Sequence, residues 1–211
     1  MKKIILSVIF FSLAFTVAYP QQKNILEYVT KEGSRIWIEG TSTLNNFRCQ
    51  ARLVKGVAYL HSTINLEQKL KQNSNSNNNQ DEVILTILSR NLDCGMDAMN
   101  QDLYRAMKTT EFPIIKYSLI NANIAENIDS SGWSVLATLG NLTIAGITKK
   151  VNISVKVMRL KNGDFRLVGE KLLKMSDFDI DPPSHFWGLI KAHNNFSVLF
   201  DLIVGLTAKS N

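Results

Sequence analysis

The side chains in this chain most able to do chemistry are two cysteines, three histidines and one run of alternating carboxylates. Cys49 lies in Phe47-Arg48-Cys49-Gln50 and Cys94 in Leu92-Asp93-Cys94-Gly95. An even pair in an oxidising compartment suggests a disulfide, for which the loop-entropy model gives about 4 kcal/mol at best. Two reduced, buried thiols are the alternative; a Cys-x-x-Cys redox centre is not formed. His61, His185 and His193 fall in different segments, with no third ligand at metal spacing. Asp177, Asp179 and Asp181 could offer oxygens to calcium, but the calcium-loop pattern with its central glycine and terminal glutamate is missing. An extended segment that turns Phe178 and Ile180 inward explains the alternation without metal. There is no Gly-x-Ser-x-Gly elbow, no phosphate-cradling glycine loop and no His-Glu-x-x-His pair. The expectation is therefore no catalytic residue, no metal and no cofactor. An enzyme working through Cys94 or His185 ranks last, because neither residue has a visible partner.

The elements around these residues read as strands. Ile36 and Ile38 share one face of Ser34–Glu39, and Val151, Ile153, Val155 and Val157 alternate cleanly with polar residues. Trp133, Val135, Ala137 and Leu139 form one face of a neighbouring run. Further strands are expected at 47–54, 57–64, 83–88, 114–124, 164–172 and 196–206, the last with Phe196, Val198, Phe200, Leu202 and Val204 on one side. Ala145-Gly146 and Asn162-Gly163 mark short hairpins. Asn100 is placed to cap a helix over 101–108, with Leu103 and Met107 on one face, and a second short helix or turn is expected at 175–178. Residues 68–82, rich in Asn, Ser and Gln, read as a surface loop. The sequons at Asn141, Asn152 and Asn195 fall inside strands, where alternation itself creates such triplets, so no glycan site is read from them.

The chain has 211 residues, a net charge of +6, 45% hydrophobic and 20% charged residues. That profile excludes a disordered tail, a fibre and a polytopic membrane protein. Residues 1–18 have the form of a secretory signal: Lys2 and Lys3, an apolar run from Ile4 to Val17, and small residues before Tyr19. The run is shorter than the roughly 18 apolar residues that span a membrane. Residues 19–211 then make one domain, and periplasmic residence and secretion are both open. The basic residues are scattered with no stacking aromatics beside them, so no nucleic-acid partner is expected. Many long strands joined by short hairpins suggest an all-β fold, a single closed antiparallel β-barrel of about eight strands with one or two short helices. Such a barrel is either packed solid or holds one small ligand.

Several segments together resemble the YceI-like family of exported lipid-binding proteins, over about Ser34 to Leu206. The run Gly140 to Val151, Gly-Asn-Leu-Thr-Ile-Ala-Gly-Ile-Thr-Lys-Lys-Val, is close to the family's Gly-x-Leu-Thr-Ile-x-Gly-Val-Thr-Lys-x-Val hairpin. Met99 to Lys108 with Phe112 to Tyr117 resembles its helix and following strand, and Met175 to Pro183 with Gly188 to Lys191 its late loop. The resemblance implies an extended lipocalin-like barrel, no catalysis, and an isoprenoid-like or other amphiphilic lipid as partner. The Asn-rich loop and the cysteine pair depart from the general family pattern. The candidates for a lipid-binding lining are Ile36 and Ile38; Tyr117 and Leu119; Trp133, Val135 and Leu139; Val155 and Val157; Phe178; and Phe196, Val198 and Phe200. Lys149 and Lys150 could meet an anionic head group, with solvated surface lysines as the plainer reading. A transient membrane-surface contact and a homodimer stay open. The competing reading is a solid barrel that serves as an exported interaction module.

Overall fold

The computed structural model describes residues 25–61, 81–126, 129–185 and 190–207. The expected signal peptide, residues 1–18, and most of the Asn-rich loop lie outside them. Glu82, read above as the end of that loop, opens a strand instead.

The long apolar alternations among the described residues form strands, and every pairing between them is antiparallel. They are β1 (Ile25–Thr30), β2 (Arg35–Ser42), β3 (Asn46–Ala51), β4 (Lys55–His61), β5 (Glu82–Leu88) and β6 (Leu92–Asp93). After the helix come β7 (Ile114–Glu126), β8 (Trp133–Ile144), β9 (Ile147–Arg159), β10 (Phe165–Lys174), β11 (Ser184–His185) and β12 (Ile190–Leu206). The ring runs β1–β4–β5–β7–β8–β9–β10–β12 and closes where β12 returns to β1. β12 also pairs with β2, β2 with β3 and β3 with β6. Thus β1 with β2, β3 with β4, and β5 with β6 act as three strands, each interrupted once. The result is an all-β, closed eight-stranded antiparallel barrel with one short helix. Closure leaves no long free edge to template aggregation.

Turn chemistry fixes the register. Ala145 and Gly146 both have positive φ (48° and 80°), the geometry of a two-residue hairpin turn that matches strand twist. It locks β8 to β9 from Ile144↔Ile147 up to Trp133↔Met158. At the Asn162-Gly163 turn, the Leu160 N–H donates to the Asp164 carbonyl at 2.8 Å.

The helix, α1 (Asp97–Ala106), starts a turn earlier than the cap reading placed it. Asn100 is not the cap; it is buried inside the helix. Its Oδ1 accepts from the Cys94 N–H at 2.7 Å, and its Nδ2 donates to Asp93 Oδ1 at 3.0 Å. Its side chain found better partners in the preceding loop than in the helix end. The 175–178 segment is a single 3-10 turn followed by Asp179 in a left-handed conformation (φ 53°), so the carboxylate run is coiled and not extended. Phe178 and Ile180 are nevertheless buried, and all three aspartates stay exposed.

Most of the buried core sits at the end of the barrel that carries α1 and the β8–β9 turn. There Leu92, Met107, Ile144, Val151, Leu173, Met175, Phe178 and Phe196 belong to one cluster. Cys49 and Cys94 are bonded to each other, S–S 1.99 Å, which ties β3 to the loop entering α1. Arg52 donates twice to Asp93 Oδ2, at 3.1 and 2.7 Å, beside that bond. A smaller cluster of Tyr28, Leu60, Val157 and Phe165 closes the far end.

Candidate ligand cavity

Between the two clusters the barrel is hollow. The cavity has a volume of about 360 Å³ and walls that are overwhelmingly aliphatic and aromatic. Most long strands present alternate residues to it, because side chains on a strand alternate faces; β7 breaks the rule at its register shift, where Leu119 to Ala122 all line it. β2 gives Ile36 and Ile38, and β5 gives Val83, Leu85 and Ile87. β9 gives Ile153, Val155 and Val157, and β12 gives Val198, Phe200, Leu202 and Val204.

Glycines on the inner face make room for the rings. A Cβ at Gly140 would collide with the Tyr117 ring, and one at Gly169 with the Phe200 ring. Each ring therefore lies against bare backbone on the neighbouring strand, which leaves the space beyond it open. Phe47 covers Gly40 in the same way nearer the helix.

Polar groups on the wall are few. Thr30 Oγ1 donates to the Val54 carbonyl and accepts from the Gly56 N–H, both at 3.1 Å. Thr138 Oγ1 donates to the Ile153 carbonyl at 2.9 Å and lies 3.4 Å from the Tyr117 hydroxyl. Burial pushes the Tyr117 phenol above its ordinary pKa, with the Thr138 contact acting in the opposite sense. The phenol therefore remains a neutral hydrogen-bonding group at physiological pH. Asn121 Oδ1, at a register shift in β7, is buried without a partner among the described residues.

The sequence-derived candidates divide by place. Ile36, Ile38, Tyr117, Leu119, Val155, Val157, Val198 and Phe200 line the cavity. Phe178 and Phe196 belong to the packed cluster at the helix end and do not reach it. Trp133, Val135 and Leu139 stand on the opposite face of β8, whose inward face carries Leu136, Thr138 and Leu142. Both faces of β8 are apolar, so hydropathy alone cannot orient it. The turn can: β9 turns Val155 inward, and its directly paired partner is Leu136, which must share that face. Lys149 and Lys150 are exposed and lie off the cavity. A different lysine, Lys171 on β10, lines the wall; the weak alternation of that strand concealed it.

Elsewhere, His193 Nδ1 sits 2.6 Å from the exposed Thr41 hydroxyl. His61 and His185 have side chains outside the described set. Among the described residues no three His, Cys, Asp or Glu side chains are grouped to hold a metal. What this arrangement can do is exclude water from an apolar chain while its own backbone stays hydrogen-bonded within the sheet.

A closed eight-stranded antiparallel barrel with an apolar cavity at its centre belongs to the class of lipocalin-like β-barrel folds. The YceI-like domain model matches residues 37–203, and the chain belongs to that family. A polyisoprenoid-binding domain from Saccharophagus degradans, implicated in plant cell wall breakdown, superposes with a TM-score of 0.62 at 12% identity, covering 87% of this chain and 100% of that one. Burkholderia cenocepacia BcnA superposes with a TM-score of 0.60 at 13% identity, covering 81% and 95% respectively. At these identities the likeness concerns the fold. No curated protein matches the sequence.

Proposed function

We propose that this protein is an extracytoplasmic, non-catalytic binding protein that carries or sequesters the chain of an isoprenoid-like or other amphiphilic lipid inside the barrel. The observation that carries this reading is the apolar cavity of about 360 Å³ between two packed ends. Ligand pockets fall at about 300–1,000 Å³ and are mostly apolar with a few placed polar groups. Moving a lipid chain from water to such a wall gains about 25 cal/mol per Å² of apolar surface. Family membership and the polyisoprenoid-binding description of the Saccharophagus domain support the ligand class. The Cys49–Cys94 disulfide, with the apolar run at residues 4–17, supports a periplasmic or secreted location.

A barrel packed solid, acting only as an interaction module, is disfavoured by the hollow interior. Native mass spectrometry of the protein purified from its own source, followed by solvent extraction, separates the two. The expected result is a stoichiometric extra mass that extracts as a long-chain lipid. A clean apo mass with no uptake of added isoprenoid lipid would sink the carrier reading.

A further inference from the structure

We infer that the cavity takes a single-chain amphiphile with an anionic head, and that Lys171 is the residue that holds that head; this rests on the lipid-binding reading above. On β10 the inward positions are Phe165, Leu167, Gly169, Lys171 and Leu173, so Lys171 occupies a wall position where its neighbours are apolar or bare. Its paired partner on β12 is Val198, another wall residue. Among the described residues lining the cavity it is the one cation. Its ammonium makes no hydrogen bond or ion pair among the described residues.

The other polar groups on the wall differ from it. Thr30 is bonded to the backbone at Val54 and Gly56, and Thr138 to the Ile153 carbonyl with the Tyr117 hydroxyl beside it; Asn121, whose Oδ1 has no partner among the described residues, carries no charge. The wall's carboxylate, Asp81, has an interaction of its own and stands just before β5, four strands round the eight-stranded ring from β10 and so across the barrel. It does not neutralise Lys171. The Lys171 side chain is half-buried, and an ammonium drawn further along an apolar wall needs an anion to meet it. Lysine brings three donors and a full charge. A carboxylate or a phosphate monoester satisfies both, while an adjoining alkyl or prenyl chain covers Val198, Phe200 and Leu173. The volume suits one chain better than a two-chain lipid, since it lies toward the lower end of the range of about 300–1,000 Å³ for ligand pockets.

The test is calorimetric titration of the delipidated full chain with hexadecanoic acid, hexadecyl phosphate and hexadecanol. The three ligands share one chain and differ in the head. Wild type should bind at least one of the two anions about tenfold or more tighter than the alcohol, the value of one charge-assisted contact. Lys171→Met should bring the anions down to the alcohol's affinity and leave the alcohol bound; Lys171→Arg should keep the preference. The stronger of the two anions then tells a lipid phosphate from a fatty acid as the natural head. Equal binding of acid, phosphate and alcohol by wild type would overturn the inference and leave the carrier reading standing. So would a preference that survives in Lys171→Met. If wild type takes up none of the three, the inference falls, and uptake of an isoprenoid lipid decides the carrier reading separately. Should Lys171→Met not fold, Lys171→Gln replaces it, and the wild-type head-group comparison decides without either.

Discussion

The two ends of the barrel are built to different standards. At the helix end a large cluster gathers residues from β2, β3, β5, β8, β9, β10 and β12 with α1 and the 175–178 turn. Phe178 at its centre is wholly buried. The same end carries the disulfide and the Arg52–Asp93–Asn100 network. At the far end four buried residues meet, and Tyr28 packs edge-on against Phe165 at 6.2 Å. Opening free energy follows buried contacts and cross-links. The stability of the fold is therefore concentrated in the floor, and the far end is where the barrel yields first. A hollow interior needs this division, because a cavity contributes nothing to packing and something else must hold the strands.

Truncating one aromatic residue at each end tests the division most severely. Phe178→Ala should cost about 4 kcal/mol, and Phe165→Ala about 2–3, because neighbours beside the cavity can relax into the space. Urea denaturation of both variants measures the difference. Equal costs would break the comparison. Next in size is the cross-link: Cys49→Ser with Cys94→Ser should lose about 2–4 kcal/mol. Amide exchange should quicken in β3 and α1 well before it does in β9 and β10. Uniform acceleration would mean that the bond supports the whole barrel and not its floor.

Acid supplies a gentler test. Hydrogen bonds from Asn100 and then Arg52 hold the Asp93 carboxyl well below the usual carboxylate range. On the outer face, Arg166 first and Arg35 second do the same, more modestly, for Asp201. A depressed folded pKa stabilises the native state above the unfolded value of about 3.9. That contribution disappears as the pH falls through the folded value. Stability should thus decline below about pH 4 in wild type, and less steeply in Asp93→Asn and in Asp201→Asn. Urea midpoints across that range give the slopes. Because Asp93 serves the floor and Asp201 joins β10, β12 and β2 along the outer wall, only Asp93→Asn should also speed exchange in α1.

What the sequence disclosed depended on how each residue's position is determined. Strands β2 to β5, β7 to β10 and β12 were legible because alternation is local. The barrel followed from their number and their short turns. β1 was missed: its six residues lie too near the N-terminal run to show a pattern, and it exists because β4 and β12 pair with it. The orientation of β8 is a property of a pair of strands and not of one. Trp133, Val135 and Leu139 look as fit for the interior as Leu136 and Leu142 do, and only the register from the Ala145-Gly146 turn decides. Asn100 looked like a helix cap because its type suits one, yet Asp93 and the Cys94 amide claimed it. Lys171 was invisible for the opposite reason: a lysine reads as surface until the pairing of β10 turns it inward.

The finest comparison lies within one strand. Val151 and Ile153 are consecutive inward residues of β9, one buried within the floor cluster and the other packed against its edge on the cavity wall. The same enlargement should therefore have different consequences two residues apart. Val151→Phe forces a ring into a close-packed region and should cost about 1–3 kcal/mol, with lipid capacity reduced only through loss of folded protein. Ile153→Phe puts its ring into empty space, so its stability should stay within about 1 kcal/mol of wild type. On the carrier reading proposed above, its bound lipid, measured by extraction from refolded protein, should fall sharply because the ring occupies the chain's place. If Ile153→Phe is instead the more destabilising of the two, the wall is already filled by its own side chains and the boundary between floor and cavity has been drawn in the wrong place. If it keeps full lipid capacity, the chain lies elsewhere along the wall, and the search moves round the ring toward Leu136 and Val198.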